Sequence, residues 1–314
     1  MFGWTGKALT IDLYEKTFTE QELSSSFCKE WLGGKGFNLG TDSQRMDQNA
    51  QEQDSIRIAV GTLVGTPILG ANLWCVEGKH PYTGKSISVY GTGPWGITLK
   101  YSGFDQLILT RTASLPSVLV IGENECHIET FNNEHIEPYF SQKMKEKYGP
   151  QTEVLIFREG SIEGRGCIGG DLEDIGLLLR QRNVQAIVIQ GNKNILFANH
   201  AEVLRSSQQS ITKWRELGLP FGHNGCAVCH GRCRQLPTSS DEIEEAFPEM
   251  LSLWLALGLC PQWMKSGLGL SLEEILSLLK SVTGIDYDVS ILFEVARKIQ
   301  EASTTESYKE RRLV

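Results

Sequence analysis

The sequence lacks any run of the roughly 18 apolar residues that a helix needs to cross a bilayer, so no membrane role is expected. It also lacks an excess of positive charge. Thirty Lys and Arg against 38 Asp and Glu leave a formal net charge of -8. That balance excludes attraction to nucleic acid or to anionic lipid as a working principle. The opening stretch MFGWTGKALTIDLYEK has no basic segment followed by an apolar run. It does not read as a signal peptide, and the chain is expected to stay in the cytoplasm. No internal repeat or low-complexity tract is present, which excludes a solenoid. A familiar catalytic set is missing too. No Ser, His and Asp occur in a supporting context, and GGKG at 33–36 is too short for a P-loop and has no following Ser or Thr. The spacing Gly91-x-Gly93-x-x-Gly96 matches a dinucleotide fingerprint only in isolation.

What is present suits a folded protein of one large domain or two ordinary ones: 314 residues, 40% hydrophobic and 22% charged. The pattern changes near residue 200. Before it, alternating or continuous apolar runs predict strands at 7–13, 55–60, 86–89, 106–110, 117–121, 154–157 and 185–190. Helical spacing is rarer there, at 27–32, 95–101, 141–148 and 172–180. Beyond residue 200, helices are predicted over 201–217 and 241–257. SLEE at 271–274 is a capping box, in which the Ser271 hydroxyl accepts from an early helix amide and Glu274 reaches back; it opens a helix to Val282. Asp288 or Ser290 caps a last helix through Ala302, and the polar tail 303–314 is expected to fray. The fold class is therefore α+β, with a β-rich domain at 1–200 and a helical one at 201–314.

Cysteine supplies the strongest chemical signal. Of eight, Cys28, Cys75, Cys126 and Cys167 are scattered and read as buried thiols. The others form Cys226-x-x-Cys229-x-x-x-Cys233 and, beyond a helix-like run, Cys260. Three sulfurs on one turn and a fourth from a second segment can supply the four thiolates of a cubane 4Fe-4S cluster. Three other readings stay open. Cys226 to His230 matches the c-type haem attachment C-x-x-C-H, but leaves Cys233 unexplained. Structural zinc can draw on the same cysteines with His223 and His230. The four can also be inert thiols. His223 or His230 can hydrogen-bond a cluster sulfide, and Arg232 and Arg234 can offset its charge.

At this point the chain resembles a known family, the tungsten-containing aldehyde ferredoxin oxidoreductases. The similar segments are GWTGK at 3–7 with IDL at 11–13, LGGKG at 32–36, GTLVGTP at 61–67, KHPYTG at 79–84, WGITLK at 95–100 and GFD at 103–105. IGG at 168–170, VQAIVIQG at 184–191, the cysteine motif, LGLC at 257–260 and VTG at 282–284 continue the order. The resemblance implies a β-rich base carrying a bis-pyranopterin tungsten cofactor, remnants of the helical domains, and a cluster beside the pterin that passes electrons to ferredoxin. It also implies the cluster ligands Cys226, Cys229, Cys233 and Cys260.

Departures from the family pattern matter as much. Family members are about twice as long, and the missing material falls largely between Cys233 and Cys260. Ala71 and Asn72 stand where the family has an arginine, YGTG at 90–93 replaces an Asn-Ser-Gly-Gly loop, and Leu255 replaces an aspartate. An anionic pterin diphosphate needs cationic or amide donors, and its ring nitrogens need buried acceptors. The expectation is thus a chain that does not bind tungstopterin or molybdopterin in the usual way; with a pterin bound, Lys79, Gly91, Gly93 and Trp95 are the positions expected to hold it. The first functional reading is an electron-transfer or accessory subunit acting with a ferredoxin-like or catalytic redox protein, paired as homodimer or hetero-oligomer through the base. The alternatives are a compact tungsten or molybdenum pterin oxidoreductase acting on aldehydes or carboxylic acids, and a non-redox scaffold or cofactor-delivery protein with a structural metal.

Overall fold

A computed structural model describes residues 1–45, 54–80, 82–84, 86–123, 125–130, 139–158, 161–163, 168–170, 172–216, 248–264 and 269–310. The strands are β1 (Lys7–Asp12), β2 (Thr17–Glu22), β3 (Ile56–Val60), β4 (Leu73–Lys79), β5 (Ser86–Thr92), β6 (Gln106–Thr110), β7 (Ser117–Ile121), β8 (Cys126–Thr130), β9 (Glu153–Arg158), β10 (Ser161–Glu163), β11 (Ile168–Gly170) and β12 (Val184–Ile189). The helices are α1 (Ser25–Trp31), α2 (Gly34–Arg45), α3 (Pro94–Ser102), α4 (Phe140–Tyr148), α5 (Leu172–Gln181), α6 (His200–Glu216), α7 (Pro248–Leu257), the single turn α8 (Pro261–Trp263), α9 (Leu272–Thr283) and α10 (Val289–Glu310). No described helix is long and apolar enough to cross a membrane.

Two sheets form the frame. The larger has seven strands in the order β11-β5-β4-β3-β6-β1-β2, and the smaller has five in the order β10-β9-β12-β7-β8. Strand alternation sorts their side chains. Ile58 and Val60 of β3 join Trp74 and Val76 of β4, Trp95 and Leu99 of α3, and Leu119 and Ile187 of the smaller sheet in one apolar core. Ala59, from the other face of β3, belongs instead to a core built with α1, α2, α7, α9 and α10. That second core mixes Trp4, Phe37 and Leu63 with Leu253, Leu278 and Ile299, so the described residues beyond 200 share a core with the N-terminal part of the chain.

Apart from the last helix and the helix expected over 241–257, whose residues 241–247 lie outside the described ones, the predicted strands and helices recur with shifts of up to three residues at their ends, and the Ser271–Glu274 capping box is formed reciprocally. Three differences have physical reasons. Helix α2 starts inside the glycine-rich segment 33–36, where tertiary packing on β3 and β4 outweighs glycine's poor helix propensity. Strand β4 contains Gly78 and ends in charged residues, which hid its alternation. The last helix does not fray at Ser303 but runs to Glu310.

Candidate metal centre around Cys260

Cys260 is buried, with 2% of its surface exposed, and sits between Leu259 and the turn α8. Its backbone is fixed on both sides. The Cys260 amide donates to the Gly70 carbonyl at 2.9 Å, and the Cys260 carbonyl accepts from Met264 at 3.1 Å. The strand-like stretch before it is bound to the loop after β3: Leu63 donates to Leu257 at 2.9 Å, Leu73 donates to Gly258 at 3.1 Å, and Ala71 and Leu259 form a bridge. A cysteine held this way presents its sulfur from a backbone that is set before any ligand arrives.

The close approach explains the glycines. A Cβ on Gly61 would lie 2.0 Å from the Gly258 nitrogen, and one on Gly33 would lie 2.8 Å from the Thr62 nitrogen. Three segments distant in sequence, around 33, 61 and 258, therefore meet backbone to backbone. Gly258 also takes φ +82°, a left-handed value that glycine adopts without the Cβ penalty.

Charged and polar groups lock the same crossing. Lys100 is wholly buried, and its Nζ donates to the Gly61 carbonyl at 3.1 Å and to the Thr62 carbonyl at 2.7 Å. Burial pushes its ammonium down to about 8, against the opposing pull of Asp105. The Thr62 hydroxyl and the Trp4 indole both donate to the Leu32 carbonyl, at 2.8 and 2.6 Å. Asp105 accepts from the Thr5 hydroxyl at 2.8 Å and from the Gly6 amide at 2.7 Å. The segments quoted for the resemblance, at 3–7, 32–36, 61–67, 95–100, 103–105 and 257–260, thus form one hydrogen-bonded junction. Sequence reasoning missed the roles of Lys100 and Asp105. No local signal marks them: a charged residue at the end of an apolar segment reads as solvated, and only the structure shows both buried.

Cys226, Cys229 and Cys233, with His223, His230, Arg232 and Arg234, lie outside the described residues, as does Cys167. Among the described residues, no group of three or more His, Cys, Asp or Glu side chains is placed to hold a metal. Cys28 and Cys75 are buried and Cys126 is half-buried. Burial pushes the Cys28 thiol up to about 12, reinforced by Asp105, and pushes Cys75 up as well, so neither is a ready thiolate.

Of the four positions expected to face a pterin, Gly91, Gly93 and Trp95 lie together in the stretch from the end of β5 into α3, and Lys79 stands at the other end of the β4–β5 pair. Lys79 is exposed at the end of β4. Gly91 lies under Trp74, whose ring would be 2.2 Å from a Cβ there. Gly93 precedes α3 at φ 127° with no side-chain cap. Trp95 is wholly buried, edge-on to Trp74 at 5.7 Å between centroids, with its Nε1 donating to the Ile187 carbonyl at 3.4 Å. Leu255, where an aspartate was expected, completes an apolar cluster with Leu73 and Cys75. Ala71 and Asn72 are both buried. An anionic pterin finds no convergent set of donors and acceptors among these described residues; they do not fit it.

Comparison with known proteins agrees with this architecture. Residues 8–162 match the family described as aldehyde ferredoxin oxidoreductase, N-terminal domain. The tungsten-containing aldehyde ferredoxin oxidoreductase of Pyrococcus horikoshii is 25% identical over 231 residues, 69% of this chain and 38% of that protein. The Pyrococcus furiosus protein named aliphatic sulfonate oxidoreductase, WOR-like subunit, is 22% identical over 270 residues, 74% of this chain and 42% of that protein. The chain thus spans about two fifths of the length of these curated relatives. Among solved structures, the active site complex BamBC of benzoyl coenzyme A reductase with 1,5 dienoyl-CoA shares the fold. Its TM-score is 0.61 at 21% identity, covering 68% of this chain and 35% of that one. Through its N-terminal domain, the chain belongs to the aldehyde ferredoxin oxidoreductase family, as a partial member.

Proposed function

We propose that the chain is an iron-sulfur electron-transfer or accessory subunit acting in the cytoplasm beside a redox partner. The observation that carries this reading is the fixing of Cys260 at the junction of the family's shared segments, by its amide to Gly70 and by the paired loop 61–73. Cys226, Cys229 and Cys233 would complete the ligand set, and a cluster bound there would supply one-electron transfer. The chain's own contribution is to hold one thiolate in a rigid, apolar wall of Trp263, Leu259 and Met264, because burial and the hydrogen bonds around a cluster set its potential. A partner fits the reading because relatives include a protein named as a subunit and one chain of a complex. It would be a ferredoxin-like or catalytic redox protein, and the base domain is available for homodimer or hetero-oligomer pairing.

The second reading is a compact pterin oxidoreductase acting on aldehydes or carboxylic acids. It is favoured by the names of the tungsten-containing relatives and opposed by the apolar cluster at Leu255. Anaerobic purification followed by iron, sulfide, tungsten, molybdenum and zinc quantification separates the two. Iron and sulfide without tungsten or molybdenum support the electron carrier; tungsten or molybdenum near one per chain supports the enzyme. Zinc alone overturns both and leaves the non-redox scaffold.

A further inference from the structure

Among the described lysines, Lys100 alone is wholly buried, and an ammonium carries three hydrogens. Two are spent on the Gly61 and Thr62 carbonyls, and the third has no acceptor among the described residues. Asp105 is wholly buried too. One of its carboxylate oxygens accepts from the Thr5 hydroxyl and the Gly6 amide, while the other is buried without a partner. The buried pair thus keeps one donor and one acceptor unused, which costs stability and calls for an explanation.

The pair stands between solvent and the Cys260 segment. On its outer side, Thr5 and Lys100 both line an open hollow of about 220 Å³, with Lys7 and Lys193 on the same walls. The Thr5 hydroxyl connects that hollow to Asp105. On its inner side, the carbonyls that Lys100 holds belong to the loop that meets Gly258, where a Cβ on Gly61 would lie 2.0 Å from the Gly258 nitrogen. Gly258 stands two residues before Cys260. Two residues span at most about 7 Å, which puts the ammonium on the order of 10 Å from Cys260. The titratable groups that act on it are Asp105, ahead of β6, which favours its charge, and Cys28 of α1. Burial pushes the Cys28 thiol up to about 12, so it stays neutral. Burial pushes Lys100 itself down to about 8, where a modest change in the local field moves a proton on or off.

We propose that Lys100 is a proton site coupled to the redox state of the centre at Cys260. The inference rests on the cluster reading above. As one electron arrives from the redox partner, the Lys100 amine takes one proton from solvent, by way of Thr5 and Asp105, and forms one N–H bond. The proton leaves again when the electron does. The interior then gains no net charge, which a site out of water favours. Unit charges about 10 Å apart, at an effective dielectric near 20, change each other's equilibrium about tenfold.

Potentiometric titration of the full, anaerobically purified chain, followed by electron paramagnetic resonance at pH 6, 8 and 10, tests it. The wild-type reduction equilibrium is expected to weaken about tenfold from pH 6 to pH 10, which is about 59 mV for one electron. Lys100→Met abolishes that slope and holds the potential at the lower, high-pH value. Lys100→Arg, which keeps its proton throughout, abolishes the slope but holds the potential near the wild-type value at pH 6. Lys193→Met, on the wall of the hollow, leaves the slope in place. Far-ultraviolet circular dichroism checks that each variant is folded, and Lys100→Arg decides the matter if Lys100→Met does not fold. A wild-type potential that does not change with pH overturns the inference and leaves the cluster reading standing. So does a slope that survives in the Lys100 variants. Absence of any iron-sulfur signal in the wild type overturns the cluster reading and this inference together.

Discussion

Gly61→Ala tests the junction directly. Gly61 does not have positive φ, so alanine meets no backbone penalty there. The obstacle is steric. The new Cβ would stand 2.0 Å from the Gly258 nitrogen and 2.3 Å from both the Gly258 Cα and the Leu257 carbonyl carbon, against an ordinary contact of 3.4 Å or more. These are backbone atoms, and no rotamer change relieves them, so the two segments must part by roughly 1.4 Å. Both are tethered by Leu63 to Leu257, Leu73 to Gly258, and Lys100 to Gly61 and Thr62. Overpacking of this kind costs about 1–3 kcal/mol, and each lost hydrogen bond about 1 kcal/mol more. A total of about 3–5 kcal/mol follows, equivalent to roughly 5–8 °C in Tm for a chain of this size. Thermal unfolding by circular dichroism measures it. Gly84→Ala is the control: φ is +68° but nothing lies within 4 Å, so only the left-handed backbone counts, about 1 kcal/mol. A Gly61→Ala variant no less stable than Gly84→Ala refutes the close-approach argument.

Other outcomes follow from the same structure. Lys100→Met loses both carbonyl contacts, and its deficit against wild type should grow with pH. The folded Lys100 sits at about 8 and an unfolded one near 10.5, so between those values only the unfolded chain keeps the proton, and wild-type stability rises there by up to roughly 3 kcal/mol. Urea unfolding at pH 7 and pH 10 measures this; a deficit independent of pH contradicts it. Burial alone would raise Glu129, but hydrogen bonds from Lys147, Tyr148 and His127 hold it down at about 2. Its contribution is present above the ordinary carboxylate range and is lost as pH falls toward 2, so Glu129→Gln should cost about 1 kcal/mol at pH 7 and nothing near pH 2. Ser271→Ala removes the hydroxyl that accepts from the Glu274 amide and should cost about 1 kcal/mol by chemical denaturation; an unchanged midpoint would show that the cap contributes nothing.

Much of this fold is legible from local pattern. The runs 106–110 and 117–121 match β6 and β7 end to end because both are continuous apolar stretches buried on two faces. Ser271 and Glu274 announce α9 through short-range chemistry alone. Strand β2, by contrast, is an exposed edge of sequence TFTEQE, with no apolar alternation to read. Helix α2 is set by what it packs against, not by its glycines. The candidate site divides in the same way. Spacing singles out Cys226 to Cys233 and Cys260, but it says nothing of Gly33, Gly61 and Gly258 meeting, since their contact spans more than 220 residues of chain. Nor does it reveal that Lys100 points inward. A lysine at the end of a helix reads as a solvated cap, and only the two carbonyls facing it explain its burial.

The central claim is that Cys260 ligates an iron-sulfur cluster with Cys226, Cys229 and Cys233. Low-temperature electron paramagnetic resonance of anaerobically purified, dithionite-reduced chain, with iron counted on the same sample, tests it most directly against Cys260→Ser. The account predicts about four irons per wild-type chain with a rhombic signal that is altered or lost in Cys260→Ser while the far-ultraviolet circular dichroism stays that of the folded wild type. An identical signal and iron content in the variant, or zinc in place of iron in the wild type, would contradict it.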